Sequence, residues 1–204
     1  MVTWSLVAAN VAAFLVELSQ GGAIDAFVNR WGLVPADVHQ SPAAAITLVT
    51  STFLHVGWFH LAANLVYLVV FGLPVERRLG AMPFLGTYLA SGLIGSLAYV
   101  AAQPQSQTPA VGASGAVAGV IAAHLVLFPG ATLGSLAPVL FLHVVESAPT
   151  LLLLLVWLAT QVLSSVASLT TSTGIAWWAH LGGFASGLVL APVLRRHRSR
   201  GGIS

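Results

Sequence analysis

Between Arg78 and Arg195 the chain carries a single charged side chain, Glu146. A soluble domain draws about a quarter of its residues from Asp, Glu, Lys and Arg to keep its surface wet. Here they make up 6% of 204 residues, against 57% hydrophobic ones, and the mean hydropathy is +0.93. Long apolar runs broken by short polar ones mean that the solvent of this chain is a bilayer. Lipid offers the backbone no hydrogen-bond partner, so such runs must satisfy their own amides as helices. The fold class that follows is an all-α polytopic membrane protein.

Composition narrows the chemistry. There are no cysteines, which excludes disulfides, thiolate nucleophiles and cysteine metal sites. All seven basic residues are arginine, so a Ser/Lys mechanism is excluded as well. The basic run RRHRSR, Arg195 to Arg200, reads as a topology signal rather than a nucleic-acid site.

A crossing needs about 20 apolar residues. The runs predict spans near 4–18, 58–73, 84–101, 113–128, 151–166 and 175–194, followed by a basic tail at 195–204, all in one domain over 1–204. Gly21 to Gly57 is too polar to cross. With turn formers and aromatics in WGLVPADVHQSP, it is expected to be a first loop partly embedded in the interface. Gly130 to Pro149 has a short apolar core holding His143 and Glu146, and is expected to be interfacial or re-entrant rather than a seventh span. The first run lacks a basic leader and contains Glu17, which argues against a cleaved signal peptide.

Six crossings put both ends on one side. Arg77 and Arg78 after the second span and the arginines after the sixth then share a side, which the positive-inside rule makes cytoplasmic. The fourth span runs inward from outside, with Ser114 at its outer end. His180 falls about 7 Å below the start of the sixth span, and His60 and Asn64 of the second lie at comparable depth. Polar side chains from three separate spans thus meet in one outer layer, and polar groups inside spans are costly enough to point to function.

Ser114 stands in VGASGAVAG, one hydroxyl among glycines and alanines. Alone, such a stretch signals only close helix approach. Gly115 and Gly119 form one small-residue face, however, and Gly183 and Gly187 form another at i+3 and i+7 from His180. Two such faces let helices approach until a serine reaches an imidazole at about 2.6 to 3.2 Å. His60 and Asn64, four apart, share a helix face. They read either as an interhelical hydrogen-bond pair or as oxyanion donors alongside the amides at the head of the fourth helix. Glycines beside Ser114 leave amides open and let a substrate chain come close.

In order along the chain, HVGWFHLAANL (His55 to Leu65), ERRLG (Glu76 to Gly80), GASG (Gly112 to Gly115) and AHLGGFASG (Ala179 to Gly187) resemble the signatures of the rhomboid intramembrane serine proteases. The resemblance runs from about Thr50 to Gly187. It implies a six-span rhomboid-like bundle with a catalytic Ser114/His180 dyad. His60, Asn64 and Gly112 would lie beside the oxyanion, and the cuts would fall in transmembrane protein substrates near the outer membrane face. It implies no metal, no cofactor and no nucleic-acid partner, in a bacterial plasma membrane with both termini cytoplasmic. The residues agree that a dyad is the most on offer, since acids occur only at Glu17, Asp25, Asp37, Glu76 and Glu146. Two positions depart from the family pattern. Ile46 and Thr47 stand where a Trp-Arg pair is usual in the first loop. Ala118 stands where an aromatic often packs on the catalytic histidine, a place that Trp177 or Trp178 could take.

Other functions fit less well. An inactive rhomboid-like binding protein would have lost the dyad. A small transporter would place its polar residues at the midplane on broken helices. A zinc protease would show H-E-x-x-H, and an aspartyl one would need aspartate inside a span.

Overall fold

A computed structural model describes residues 1–132, 154–155, 158–159, 162–163, 166 and 176–200, without the side chains of 195–200. Its elements are α1 (Val2–Ser19), α2 (Ile24–Trp31), α3 (Pro35–Gln40), α4 (Thr47–Thr50), α5 (Trp58–Leu79), α6 (Ala81–Ala102), α7 (Ser114–Leu127) and α8 (Trp177–Arg200). The chain is an all-α membrane bundle. Among the described residues, four helices are long and apolar enough to cross a membrane: α1, α5, α6 and α8. Of the expected fifth span, Leu154, Leu155, Leu158, Ala159, Val162, Leu163 and Val166 are described, and each is helical. The expected re-entrant segment lies outside the described residues beyond Thr132.

One ionic cap sets the direction of the first helices. The opening amides of a helix have no carbonyl to bond within it, and in α1 Glu76 takes them. Val2 N–H donates to Oε1 at 2.7 Å and Thr3 N–H to Oε2 at 2.9 Å, while the Thr3 hydroxyl donates to Oε2 at 2.6 Å. The carboxylate also faces the positive end of the helix dipole. The start of α1 is thereby pinned to the end of α5. At the opposite end Phe14 packs edge-on against Trp58, with centroids 4.9 Å apart, and Glu17 Oε2 accepts the His55 N–H at 2.9 Å. α1 and α5 are therefore antiparallel, and Gly80, at φ +93°, turns the chain back into α6.

α5 runs six residues past its expected end, through Pro74, Glu76, Arg77 and Arg78 to Leu79. Its charged last turn continues the helix where hydropathy stops. The first loop is a string of short helices and 3-10 turns rather than a coil. The Thr50 hydroxyl on the Trp31 carbonyl at 2.7 Å holds the loop together, and the Ser96 hydroxyl on the Leu48 carbonyl at 3.0 Å and paired backbone bonds of 2.9 Å between Leu33 and Ala110 tie it to the rest of the chain. At the departed Trp-Arg positions, Ile46 is exposed, and the buried Thr47 bonds back to the Ala44 carbonyl at 2.6 Å.

α7 is the exception in length. Its 14 residues rise about 21 Å, short of the roughly 30 Å hydrocarbon thickness. α5, α6 and α8 pack around it, and Ala116, Ala118, Val120, Ala122 and Ala123 are fully buried. A helix enclosed by protein need not span by itself. Its head can therefore lie below the ends of its neighbours, and that head is Ser114.

Candidate active site

Small residues bring α7 and α8 together. A methyl group added to Gly183 would strike the Gly115 carbonyl, and one on Gly187 the Gly119 carbonyl, so each backbone rests directly on the other. This contact aligns the first turns of the two helices. Ser114 is the first residue of α7 and His180 lies in the first turn of α8. Ser114 Oγ and His180 Nε2 are 2.7 Å apart, a full hydrogen bond.

The chain enters α7 through Gly112, whose φ of +129° suits glycine. A side chain here would also have no room. Its Cβ would stand 2.8 Å from His60 Nε2 and 3.7 Å from Ser114 Oγ. The His60 imidazole and the serine hydroxyl thus face the same small space. The Gly112 N–H donates to the Ser51 carbonyl at 2.9 Å, so this amide fixes the turn and is not directed at the site. The first helical bond of α7 runs from Val117 N–H to the Ala113 carbonyl. The amides of Ser114, Gly115 and Ala116 therefore have no carbonyl to bond within the helix.

Asn64, one turn below His60 on α5, is buried, and its Nδ2 donates to the His60 carbonyl at 3.0 Å. That bond uses one of the two amide hydrogens and leaves the other for a neighbour. Behind His60 stands His55, its ring at 5.1 Å and 65°. His55 is wholly buried. Burial, and then the proximity of His60, lower its pKa to about 4, so it is neutral near pH 7. On the other flank Trp177 packs perpendicular to His180, with centroids 5.8 Å apart.

These groups open onto a cavity of about 600 Å³ between α5, α7 and α8. Its walls include His60, Asn64, Ser114, Ala118, Trp177 and His180. A serine hydroxyl, the imidazole bonded to it, the first amide of α7 and a polar side-chain amide therefore line one largely apolar chamber, a set of groups that acyl transfer can use. Among the described residues no three His or acidic side chains gather as metal ligands would. His124, ten residues beyond Ser114, is held between Phe71 and Phe128 at 5.1 and 4.9 Å, away from this chamber.

Sequence reasoning thus named Ser114, His180, His60, Asn64 and Gly112, and the fold gathers all five. It missed the Ser51 carbonyl that holds Gly112 and the Glu17 carboxylate that holds the His55 amide. An acid within an apolar run was the one available signal for Glu17.

A family model described as the Rhomboid domain matches residues 42–197. The chain is 31% identical over 170 residues to RHOMBOID-like protein 12, mitochondrial, of Arabidopsis thaliana, covering 76% of this chain and 48% of that one. It is 30% identical over 195 residues to Rhomboid protein 1, mitochondrial, of Saccharomyces cerevisiae, covering 91% and 51%. It is 44% identical over 78 residues to Rhomboid protease GluP of Bacillus subtilis, covering 38% and 15%. The chain thus spans about half the length of these relatives or less.

Proposed function

The chain belongs to the rhomboid family, and on that basis we propose that it is an intramembrane serine endopeptidase working through the Ser114/His180 dyad. The observation that carries this reading is the 2.7 Å contact between Ser114 Oγ and His180 Nε2, at the head of α7 and open to a cavity. Neutral His180 accepts the Ser114 proton as Oγ bonds to the substrate carbonyl carbon. The carbonyl electrons move onto oxygen. The helix-head amides, the second Nδ2 hydrogen of Asn64 and the His60 imidazole supply donors toward that oxyanion. As the intermediate collapses, the C–N bond breaks and His180 gives its proton to the leaving amine. A water, deprotonated by the same imidazole, then hydrolyses the acyl-enzyme and frees Ser114. Gly112, its amide held by Ser51, serves by leaving room for His60.

Placement in the membrane supports the same reading. Met1, Glu76, Arg77 and Arg78 lie at one end of the antiparallel α1–α5 pair, while Ser114, His60 and His180 lie at the other. With the arginine end cytoplasmic, the site opens toward the outer face and both termini lie inside. The proposed location is a bacterial plasma membrane. The substrates are transmembrane proteins whose helices unwind near the outer face, because a closed helix offers no free peptide group to attack.

A fluorophosphonate probe on the purified protein tests the dyad. Wild type is expected to label, and Ser114→Ala and His180→Ala are not. Equal labelling of wild type and Ser114→Ala would remove Ser114 from the nucleophile's role.

A further inference from the structure

His180 needs a wall as well as a partner. Its backbone is fixed by the glycine contacts of α8 on α7, which act on the main chain and do not themselves set the side-chain angles of the imidazole. Ser114 holds Nε2 at one edge. One turn along α7, where a large side chain could brace the ring from beneath, stands Ala118, which lines the cavity with no more than a methyl group. A ring contact comes from α8 itself. Trp177 is three residues before His180, on the same helix face, and its ring meets the imidazole at 90° and 5.8 Å.

We propose that Trp177 is a positioning residue of His180, holding the imidazole toward Ser114 from its own helix, where position 118 offers only a methyl group. The inference rests on the dyad proposed above. An indole is suited to this role because it presents a large rigid surface with few rotatable bonds, and perpendicular ring pairs are an attractive geometry. The neighbouring Trp178 serves elsewhere. It packs beside Leu33, Tyr99, Val100 and Ala110 under the first loop. The two tryptophans thus divide the space at the head of α8, one toward the base and one toward the loop. Leaving position 118 small keeps the chamber below Ser114 open.

The test compares Trp177→Leu, Trp177→Phe and Trp177→Leu with Ala118→Tyr, each checked for wild-type thermal stability. The readouts are the rate of fluorophosphonate labelling and the kcat and KM of a transmembrane reporter. Trp177→Leu is expected to slow labelling and lower kcat roughly 2- to 10-fold, the range of one aromatic pair, with KM little changed. Trp177→Phe should keep most of the rate, and Ala118→Tyr should restore part of the rate lost in Trp177→Leu. A rise in KM at constant kcat would make Trp177 a substrate wall and overturn the proposal, as would labelling at the wild-type rate in Trp177→Leu. Failure of wild type itself to label would overturn the dyad, and this inference with it.

Discussion

Gly183→Ala tests whether helix contact sets the geometry of the dyad. The added methyl would be driven into the Gly115 carbonyl, with the Gly115 Cα only 3.2 Å away. The obstacle is backbone, so it cannot swing aside as a side chain could. Interaxial distance follows the size of the residues at the contact, and α7 and α8 must part by on the order of 1 Å. A 2.7 Å hydrogen bond between Ser114 and His180 stretched by that much no longer counts as one. Misplacement of that size costs about 10²-fold in rate, and overpacking costs about 1–3 kcal/mol of stability. The expected result is a kcat about 10² lower on a transmembrane reporter in detergent, with Tm reduced by several degrees and folding retained. Gly86→Ala is the control, since no neighbouring atom lies within 4 Å of that position, and it should match wild type. Gly183→Ala turning over within about threefold of wild type would refute the argument that this contact places the base.

Removing the Asn64 amide in Asn64→Ala should lower kcat by up to about 10² to 10³ with a smaller change in KM; an equal loss of stability and activity would favour a purely structural role. His124→Ala should keep kcat while Tm falls, because the ring is buried between two aromatics outside the chamber; loss of turnover at normal Tm would mean the site extends deeper. His55 has a folded pKa near 4, against 6.5 ordinarily. Below pH 6.5 the unfolded chain therefore takes up a proton that the folded one refuses. Stability should fall as pH drops from about 6.5 toward 4, by up to about 3 kcal/mol. His55→Gln should reduce that slope in Tm measured at pH 7.5 and 5, and an unchanged slope would absolve His55. Glu76→Ala should lower Tm by removing the α1 cap, a loss of about 1–2 kcal/mol, without changing kcat, which steady-state kinetics at a temperature below both transitions can check.

The helices were legible because hydrophobic run length is a local property. The expected 84–101 became Ala81–Ala102 and the expected 113–128 became Ser114–Leu127. The end of α5 was misjudged because Glu76, Arg77 and Arg78 read as polar loop, whereas Glu76 is buried as the cap of α1. That role depends on a residue more than seventy positions away, which no local pattern encodes. Among the site residues, the glycine spacings pointed to Ser114 and His180 because small residues at i+4 repeats mark where helices come close in lipid, and a serine and a histidine stand at the heads of the two faces. The state of the Gly112 amide was hidden for the opposite reason. Its acceptor is a main-chain carbonyl, at Ser51, in the first loop, and a backbone carbonyl carries no residue signature. Trp177 was one of two candidates by position, and only the packing of α8 separates it from Trp178.

Mass spectrometry of a single-span reporter after incubation with purified protein tests the central claim most directly. The reporter carries Gly-Ala in the outer third of its span, where poor helix formers ease unwinding. Wild type should cut within that third, Ser114→Ala should leave the reporter intact, and replacing Gly-Ala by leucine should slow the cut strongly. A cut in the cytoplasmic half, or products formed equally by Ser114→Ala, would contradict the account.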